Sequence, residues 1–271
     1  MAAPALEVVA DADALTTALV ARVVAACHHA VATHGRFVIV LAGGTTPLAA
    51  YRRLSERRDL PWERVLVTWG DERLVARDHA ERNEHATRQA LLDHVPVPPE
   101  QVLGWPDGDD AEAIAAAHAE GLRRYVGDPP RFDLVLLGLG SDAHTASLFP
   151  GTGAVHAEGL TTVVRTAEHG TRLSLTADAL GNADEVLVVV AGTDKRSALR
   201  RTLRGDEPPD ALPLTALRPR GRFTLLADAA AADGGARTTP AGPTGTADAD
   251  EASNDEAETG SGPADRPPFE G

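Results

Sequence analysis

The sequence predicts a single α/β domain with a mostly parallel central sheet flanked by helices. Short β-branched and apolar runs alternate along the chain with longer segments of helical pattern, as in repeated strand–helix units. Several of these runs are apolar at nearly every position, which is typical of strands covered on both faces. A chain of 271 residues with 43% hydrophobic side chains can build one substantial core.

The elements follow in order from these patterns. The short runs predict strands at Phe37–Leu41, Arg64–Trp69, Phe132–Leu137, Thr162–Arg165, Arg172–Leu175, Glu185–Val190 and Arg222–Leu226. The longer segments predict helices at Asp11–Thr33, Pro47–Arg58, Arg82–Asp93, Asp109–Tyr125 and Asp194–Leu203. The second helix follows Thr45-Thr46, where a threonine can cap it, and its first turn holds a proline.

Residues 231–271 differ from the rest of the chain. They carry nine acidic and two basic residues, are rich in Gly, Pro and Ala, and contain one aromatic residue, Phe269. This small apolar surface cannot offset the conformational entropy that the segment would lose on ordering. We therefore expect a catalytic domain at residues 1–230 followed by a disordered acidic tail. A solubilising extension and a partner-binding segment both fit this composition.

The overall composition restricts the class of partner and the compartment. A net charge of −14 argues against nucleic acid and anionic membranes as partners. No apolar run approaches the roughly 18 residues of a membrane span, and no secretion signal is visible, so we expect a cytoplasmic protein. The single cysteine, Cys27, is expected to be a packing residue. No Cys, His or carboxylate cluster has metal-ligand spacing, so neither a metal nor a cofactor is expected.

Ligand sites of open α/β sheets lie beyond the carboxyl ends of the strands. After the strand at 37–41 come Gly43, Gly44, Thr45 and Thr46, where the backbone can approach a ligand and the free N–H groups of a helix suit a phosphate. The segment matches neither the Walker loop nor the GxGxxG turn. On its own it fits a tight strand-to-helix turn equally well.

The next two strand ends carry charged residues. After the strand at 64–69, Arg73 could hold a phosphate or an oxyanion while Asp71 or Glu72 orients it, although a surface loop with self-paired charges is the alternative. After the strand at 132–137, His144 follows Asp142 by two residues, which suits proton transfer near neutral pH.

Two further residues are interpreted from their context. Ser147 lacks the Gly-x-Ser-x-Gly frame of a nucleophile, so we interpret it as structural. Lys195 is the only lysine beside 25 arginines, which favours a site that needs a compact ammonium group over a solvated helix residue.

Together the segments LAGGTTP, GDER, GLGSDAHTASLFPG, AGTDK and LPLTALRPRG resemble the 6-phosphogluconolactonase family, which is grouped with the glucosamine-6-phosphate isomerases. The resemblance runs from about Asp11 to Ala230. It implies a modified Rossmann-like fold of the phosphosugar isomerase/lactonase type, and hydrolysis of 6-phospho-D-glucono-1,5-lactone by a monomer or weak homodimer.

The resemblance also implies roles for the residues singled out above. His144 would be catalytic, helped by Asp142 and Arg73. The substrate would be bound by Gly43, Gly44, Thr45, Thr46, Asp71, Glu72 and Lys195. Asn83 and Arg172 would either line the phosphosugar pocket or make structural hydrogen bonds.

Two alternatives remain. The isomerases typically have a tyrosine where Arg73 stands and a glutamate where Phe149 stands, and a phenylalanine cannot transfer a proton. A non-catalytic sugar-phosphate-binding regulator is disfavoured because His144 and Asp142 are both present. The chain also departs from the family pattern at Ala42, more often a serine, and at Ala143, more often a glycine. If position 143 has positive φ, the alanine costs on the order of 1 kcal/mol.

The composition of the tail predicts that deleting residues 231–271 leaves the activity intact. The rate of lactone hydrolysis and the unfolding midpoint of the shortened chain would be compared with those of the full chain. A truncated chain that is unfolded or inactive would contradict the prediction.

Overall fold

A computed structural model describes residues 4–232 of the chain. The strands are β1 (Ala5–Val9), β2 (Phe37–Leu41), β3 (Val65–Trp69), β4 (Asp71–Arg73), β5 (Val102–Leu103), β6 (Phe132–Gly138), β7 (Thr161–Thr166), β8 (Gly170–Leu175), β9 (Ala183–Val190) and β10 (Arg222–Asp228). The helices are α1 (Ala12–His34), α2 (Thr45–Leu54), α3 (Asn83–Ala90), α4 (Ala111–Tyr125), α5 (Ala177–Gly181) and α6 (Arg196–Arg204).

The central sheet has seven strands in the order β1-β10-β9-β6-β2-β3-β5, and every pair is parallel. All five residues of β2 and of β3 are buried, which explains why their sequences are apolar throughout. The predicted fold class, a mostly parallel α/β sheet flanked by helices, is confirmed.

A second sheet of three antiparallel strands, in the order β4-β8-β7, stands apart from the central one. The predicted strands at 162–165 and 172–175 are therefore the two arms of a hairpin outside the parallel sheet. The turn between them ends at Gly170, whose φ of 68° suits glycine. Three strands, β1, β4 and β5, were not predicted; β5 is only two residues long and β4 consists of charged residues.

The topology creates a divergence between β2 and β6. From β2 the chain proceeds outward through β3 to β5, then returns to β6 on the other side of β2 and proceeds outward through β9 to β10. The loops after β2 and β6 therefore leave the sheet toward opposite edges. Such a switch point leaves a crevice above the carboxyl ends of the two strands.

Helix α1 has clear ends and a buried face. The Asp11 side chain accepts hydrogen bonds from the N–H groups of Asp13 and Ala14, and Gly35 closes the helix in the left-handed conformation. Its core face includes Cys27, which is 1% exposed, as the packing interpretation predicts. Burial raises the pKa of the Cys27 thiol to about 12, so it is not a reactive thiolate.

The composition of α1 corrects one expectation. An 18-residue window of this 23-residue helix has a mean hydropathy of 1.4, which by length and composition alone is sufficient to cross a membrane. Core helices of globular proteins pass the same test, and α1 packs against β2, β6 and β10. The expectation that no apolar run approaches the length of a membrane span is therefore wrong for α1.

The folded chain continues slightly beyond the predicted domain boundary. The Asp228 carboxylate accepts a hydrogen bond of 2.7 Å from the N–H of Ala231, and Ala231 is 1% exposed. A truncation that tests the tail should therefore begin after Ala232. The rest of the tail, which the sequence predicts to be disordered, lies outside the described residues.

Candidate active site

A cavity of about 280 Å³ lies above the switch point. The loops after β2, β3, β6 and β9 all contribute to its walls. Nine of the predicted site residues line it: Gly43, Gly44, Thr45, Thr46, Asp71, Arg73, Asn83, His144 and Lys195. Glu72, Asp142 and Arg172 do not line it. The cavity therefore lies at the carboxyl ends of the strands, where the sequence predicts the ligand site.

The segment Gly43–Thr46 presents the start of α2 to the cavity. Gly44 precedes the helix with a φ of 99°, and no side chain caps the first turn, so the expectation that a threonine caps this helix is wrong. Its first N–H groups are thus left for a ligand, and the positive end of the helix dipole points the same way. The geometry is that of an anion site.

Tyr51 fixes this segment from behind, a role that the sequence did not reveal. Its hydroxyl is fully buried, donates to the carbonyl of Ala42 at 2.9 Å and accepts from the Ala42 N–H at 3.1 Å. Because Tyr51 lies on α2, it ties the end of β2 to the helix that follows. The Gly43–Thr46 segment is therefore held before any ligand arrives.

His144 and Asp142 form a close pair at the cavity. The two side chains approach to 2.6 Å between Nδ1 and Oδ1, and the backbone N–H of His144 also donates to Asp142 at 3.1 Å. Burial of Asp142 opposes its ionisation, but the contacts with His144 outweigh it and the pKa of Asp142 falls below its ordinary value. An ionised carboxylate only accepts, so Nδ1 carries the proton and Nε2 is the basic nitrogen of the neutral ring.

The turn that carries this pair is tight. A Cβ at Gly140 would lie 2.2 Å from His144 Nδ1 and 2.4 Å from Asp142 Oδ1, so any other residue there would displace this pair. Ala143 has a φ of 78°, the positive value considered above, which costs on the order of 1 kcal/mol. Its methyl group is fully buried, which offsets part of that cost by about 0.8 kcal/mol.

Asp71 and Arg73 reach the cavity from β4, and Arg172 approaches them from β8. Arg172 is the register partner of Arg73, so two guanidinium groups lie on neighbouring strands. Burial, and then the charge of Arg73, lowers the pKa of Arg172. Like charges placed opposite each other are unfavourable unless an anion lies nearby, and Asp71 supplies part of that negative charge. Arg172 therefore contributes positive charge beside Asp71 and Arg73, although it does not line the cavity.

Glu72 points away from the cavity and has a different function from the one predicted. Side chains alternate along a strand, so Glu72 faces opposite to Asp71 and Arg73. Its buried carboxylate accepts hydrogen bonds from the N–H groups of Asn83 at 2.7 Å and Glu84 at 2.9 Å, which open α3. Its predicted role in binding substrate directly is thus not supported by its position.

By holding the start of α3, Glu72 places Asn83. The Asn83 amide donates to the carbonyl of Asp71 at 2.9 Å, and its Oδ1 lies so close to Gly43 that a Cβ there would be 2.0 Å away. Asn83 therefore joins β4 to the Gly43–Thr46 segment. It both lines the cavity and makes a structural hydrogen bond, so the two readings of this residue coexist.

Lys195 enters the cavity from a short 3₁₀ turn, Thr193–Lys195, and not from the predicted helix, which begins at Arg196. Its Nζ lies 3.2 Å from Asp194 Oδ2. The turn is anchored by the buried carboxylate of Asp228, which accepts from the N–H of Gly192 at 3.1 Å. Like Tyr51, Asp228 is a supporting residue that no local motif indicated.

No group of three His, Cys, Asp or Glu side chains within residues 4–232 is arranged to hold a metal ion. Phe149 packs against His144 with ring centroids 4.8 Å apart, and His169 stacks on Phe149 at 4.3 Å and lies 6.2 Å from His144. The ring of His144 therefore has both an apolar ring and a second histidine as neighbours.

The burial of Glu72 predicts a dependence of stability on pH. Burial outweighs the hydrogen bonds from the N–H groups of Asn83, Glu84 and Arg73, and it raises the pKa of Glu72 from 4.5 to about 7. Between these values the folded protein holds a proton that the unfolded chain has lost, so the free energy of unfolding falls as pH rises. In Glu72→Gln this contribution is absent. Urea unfolding at about pH 5 and about pH 8 should show a larger decrease for the wild type than for the variant.

The other titrating groups are common to both proteins, so the difference between them isolates Glu72. If the wild type and Glu72→Gln lose the same free energy of unfolding across this range, Glu72 is ionised throughout and the prediction is wrong.

Comparison with known proteins agrees with this geometry. The family model described as glucosamine-6-phosphate isomerases/6-phosphogluconolactonase matches residues 10–226. A solved glucosamine-6-phosphate deaminase, 20% identical with a TM-score of 0.74 over 84% of this chain and 99% of its own, shares the fold.

Relatives named 6-phosphogluconolactonase are more similar. The protein from Nostoc sp. is 36% identical over 231 residues, which cover 83% of this chain and 96% of its own length. That from Mycobacterium leprae is 38% identical over 220 residues, or 77% and 89% of the two chains. The crystal structure from Leishmania guyanensis has a TM-score of 0.76 and 29% identity, covering 87% of this chain and all of its own. These matches confirm the resemblance, and the chain belongs to the glucosamine-6-phosphate isomerase/6-phosphogluconolactonase family.

Proposed function

We propose that this protein is a 6-phosphogluconolactonase that hydrolyses 6-phospho-D-glucono-1,5-lactone to 6-phospho-D-gluconate. The observation that carries the proposal is that His144, which is paired with Asp142, and the uncapped start of α2 line one cavity. The first supplies a base, and the second supplies a site for a phosphate dianion. The names of the relatives at 36% and 38% identity support the same reaction.

The phosphate is held at the end of the cavity away from the reacting carbon. The N–H groups at the start of α2 receive its oxygens, and Lys195 adds a positive charge from the β9 side. Binding energy from this remote group fixes the lactone ring, so the attack takes place within one complex.

His144 moves the protons. Nε2 takes a proton from a water molecule as the water oxygen attacks C1, and the carbonyl oxygen becomes an oxyanion. Arg73, which also lines the cavity, is the positive charge that stabilises this oxyanion. The bond between C1 and the ring oxygen then breaks, the ring oxygen takes the electron pair, and His144 returns the proton to it.

Asp142 keeps the ring of His144 in the required tautomer and stabilises the imidazolium between the two steps. The step needs no metal ion and no covalent nucleophile, because a δ-lactone is already an activated ester. The product carboxylic acid ionises, so each turnover releases one proton.

The isomerase alternative is less well supported. Phe149 occupies the position beside His144 where the isomerase pattern has a glutamate, and it offers no proton. Release of ammonia from glucosamine 6-phosphate would bring that alternative back. The proposed enzyme is a monomer or weak homodimer in the cytoplasm. It has neither nucleic acid nor membrane as a partner, and the net charge of −14 supports this exclusion.

His144→Ala should abolish most of the catalysed hydrolysis while the protein stays folded. Loss of a general base lowers kcat by about 10²- to 10⁴-fold. Proton release from freshly generated lactone would be measured in a pH-stat and corrected for spontaneous hydrolysis.

His156→Ala is the matched control, because His156 also pairs with an aspartate, Asp210, at 3.1 Å but does not line the cavity. It should retain the wild-type rate. If wild type does not exceed the spontaneous rate, the proposed function is wrong; if both variants keep full activity, the role of His144 is wrong.

A further inference from the structure

Ser147 has a connection to the cavity that its sequence context does not suggest. It lies in the loop after β6, is 1% exposed, and its hydroxyl donates a hydrogen bond of 2.6 Å to Oδ2 of Asp71. Asp71 is 76 positions away in the chain and lines the cavity. The buried hydroxyl group of Ser147 is therefore hydrogen-bonded to a carboxylate that a bound ligand can reach.

Among residues 4–232, Ser147 is the only side chain that donates a hydrogen bond to the Asp71 carboxylate. The titratable groups around Asp71 are Glu72 and Arg73 on its own strand, Arg172 on β8 and His144 on the β6 loop. Burial raises the pKa of Asp71, and the hydrogen bond from Ser147 is the largest effect that opposes this rise, ahead of Arg73, His144 and Arg172.

The state of Asp71 matters for a polyhydroxylated ligand. An ionised carboxylate only accepts hydrogen bonds, and sugar hydroxyl groups donate them. A protonated Asp71 would turn one acceptor into a donor, and a carboxylate without Ser147 would be free to rotate. Either change removes acceptors from the positions that face the ligand.

We propose that Ser147 is a positioning residue that holds Asp71 ionised and in one orientation, so that Asp71 accepts hydrogen bonds from the hydroxyl groups of the bound sugar phosphate. The proposal rests on the proposed function for the identity of the ligand. It assigns Ser147 a role in substrate binding, without any part in the transfer of protons.

The chain offers a closely matched control in Ser174. It is also fully buried, it is the register partner of Asp71 on β8, and its hydroxyl donates to the carbonyl of Leu175 at 2.9 Å. It accepts a long hydrogen bond of 3.4 Å from the backbone N–H of Ser147 but does not bond to the Asp71 carboxylate. Ser147→Ala and Ser174→Ala therefore each remove one buried hydroxyl group beside the same loop, and only the first removes the hydrogen bond to Asp71.

The experiment measures kcat and KM for the lactone, and the affinity for 6-phosphogluconate by calorimetry, across about pH 5 to 8. Ser147→Ala should raise KM and weaken product binding by on the order of 10-fold, with a smaller change in kcat. The pH below which affinity falls should also be higher in Ser147→Ala than in the wild type, because Asp71 protonates more readily. Ser174→Ala should keep the wild-type KM and pH profile.

Equal effects of the two substitutions on KM and on the pH profile would overturn the proposal and leave Ser147 as a packing residue. If Ser147→Ala does not fold, Ser147→Cys retains a similar shape and a weaker donor, and should give an intermediate shift; an unchanged profile there overturns the proposal. Wild-type protein that binds 6-phosphogluconate but does not hydrolyse the lactone would refute the proposed function, while the binding comparison still tests Ser147.

Discussion

Two neighbouring parallel strands, β2 and β6, continue into loops that leave the sheet toward opposite edges, and the cavity exists because of this divergence. Both strands are buried in the sheet, so they cannot carry polar chemistry along their length. Polar residues are placed where the strands end, and four such ends surround one space. The position of the site is thus a consequence of strand order.

Buried polar side chains behind the cavity hydrogen-bond to the loops that form its walls. Tyr51 fixes the end of β2, Glu72 fixes the start of α3, and Asp228 fixes the turn that carries Lys195. In each case a buried side chain satisfies backbone groups that would otherwise be unpaired, which is costly in a dry interior. The same hydrogen bonds that satisfy the backbone therefore position the residues that face the ligand.

The small antiparallel sheet brings together residues that are far apart in the chain. Because β4 continues directly from β3, its pairing with β8 places Arg172 and Ser174 beside Arg73 and Asp71. This sheet supplies most of the charge at the cavity, while the central sheet supplies the helix start and the histidine. The two parts meet at Asp71, which contacts the β6 loop through Ser147.

The sequence by itself determined the features that depend on nearby residues. The apolar runs identified the buried strands, and the short spacing of Asp142 and His144 gave a pair that is formed within a single turn. The tight turn into α2 is likewise local, since it depends on Gly44 and the residues that follow it, although the expected threonine cap does not form. Apart from this cap, the patterns are set by covalent neighbours, so a motif is sufficient to predict them.

Tertiary structure alone decided which way the remaining residues face. Glu72 and Asp71 face opposite ways only because side chains alternate along β4. This strand is charged and three residues long, too short to show an alternating pattern in the sequence. The contacts of Ser147 with Asp71 and of Asp228 with Gly192 join segments separated by 76 and 36 positions. Their formation depends on the register of strands that are distant in the chain, and no local spacing encodes it.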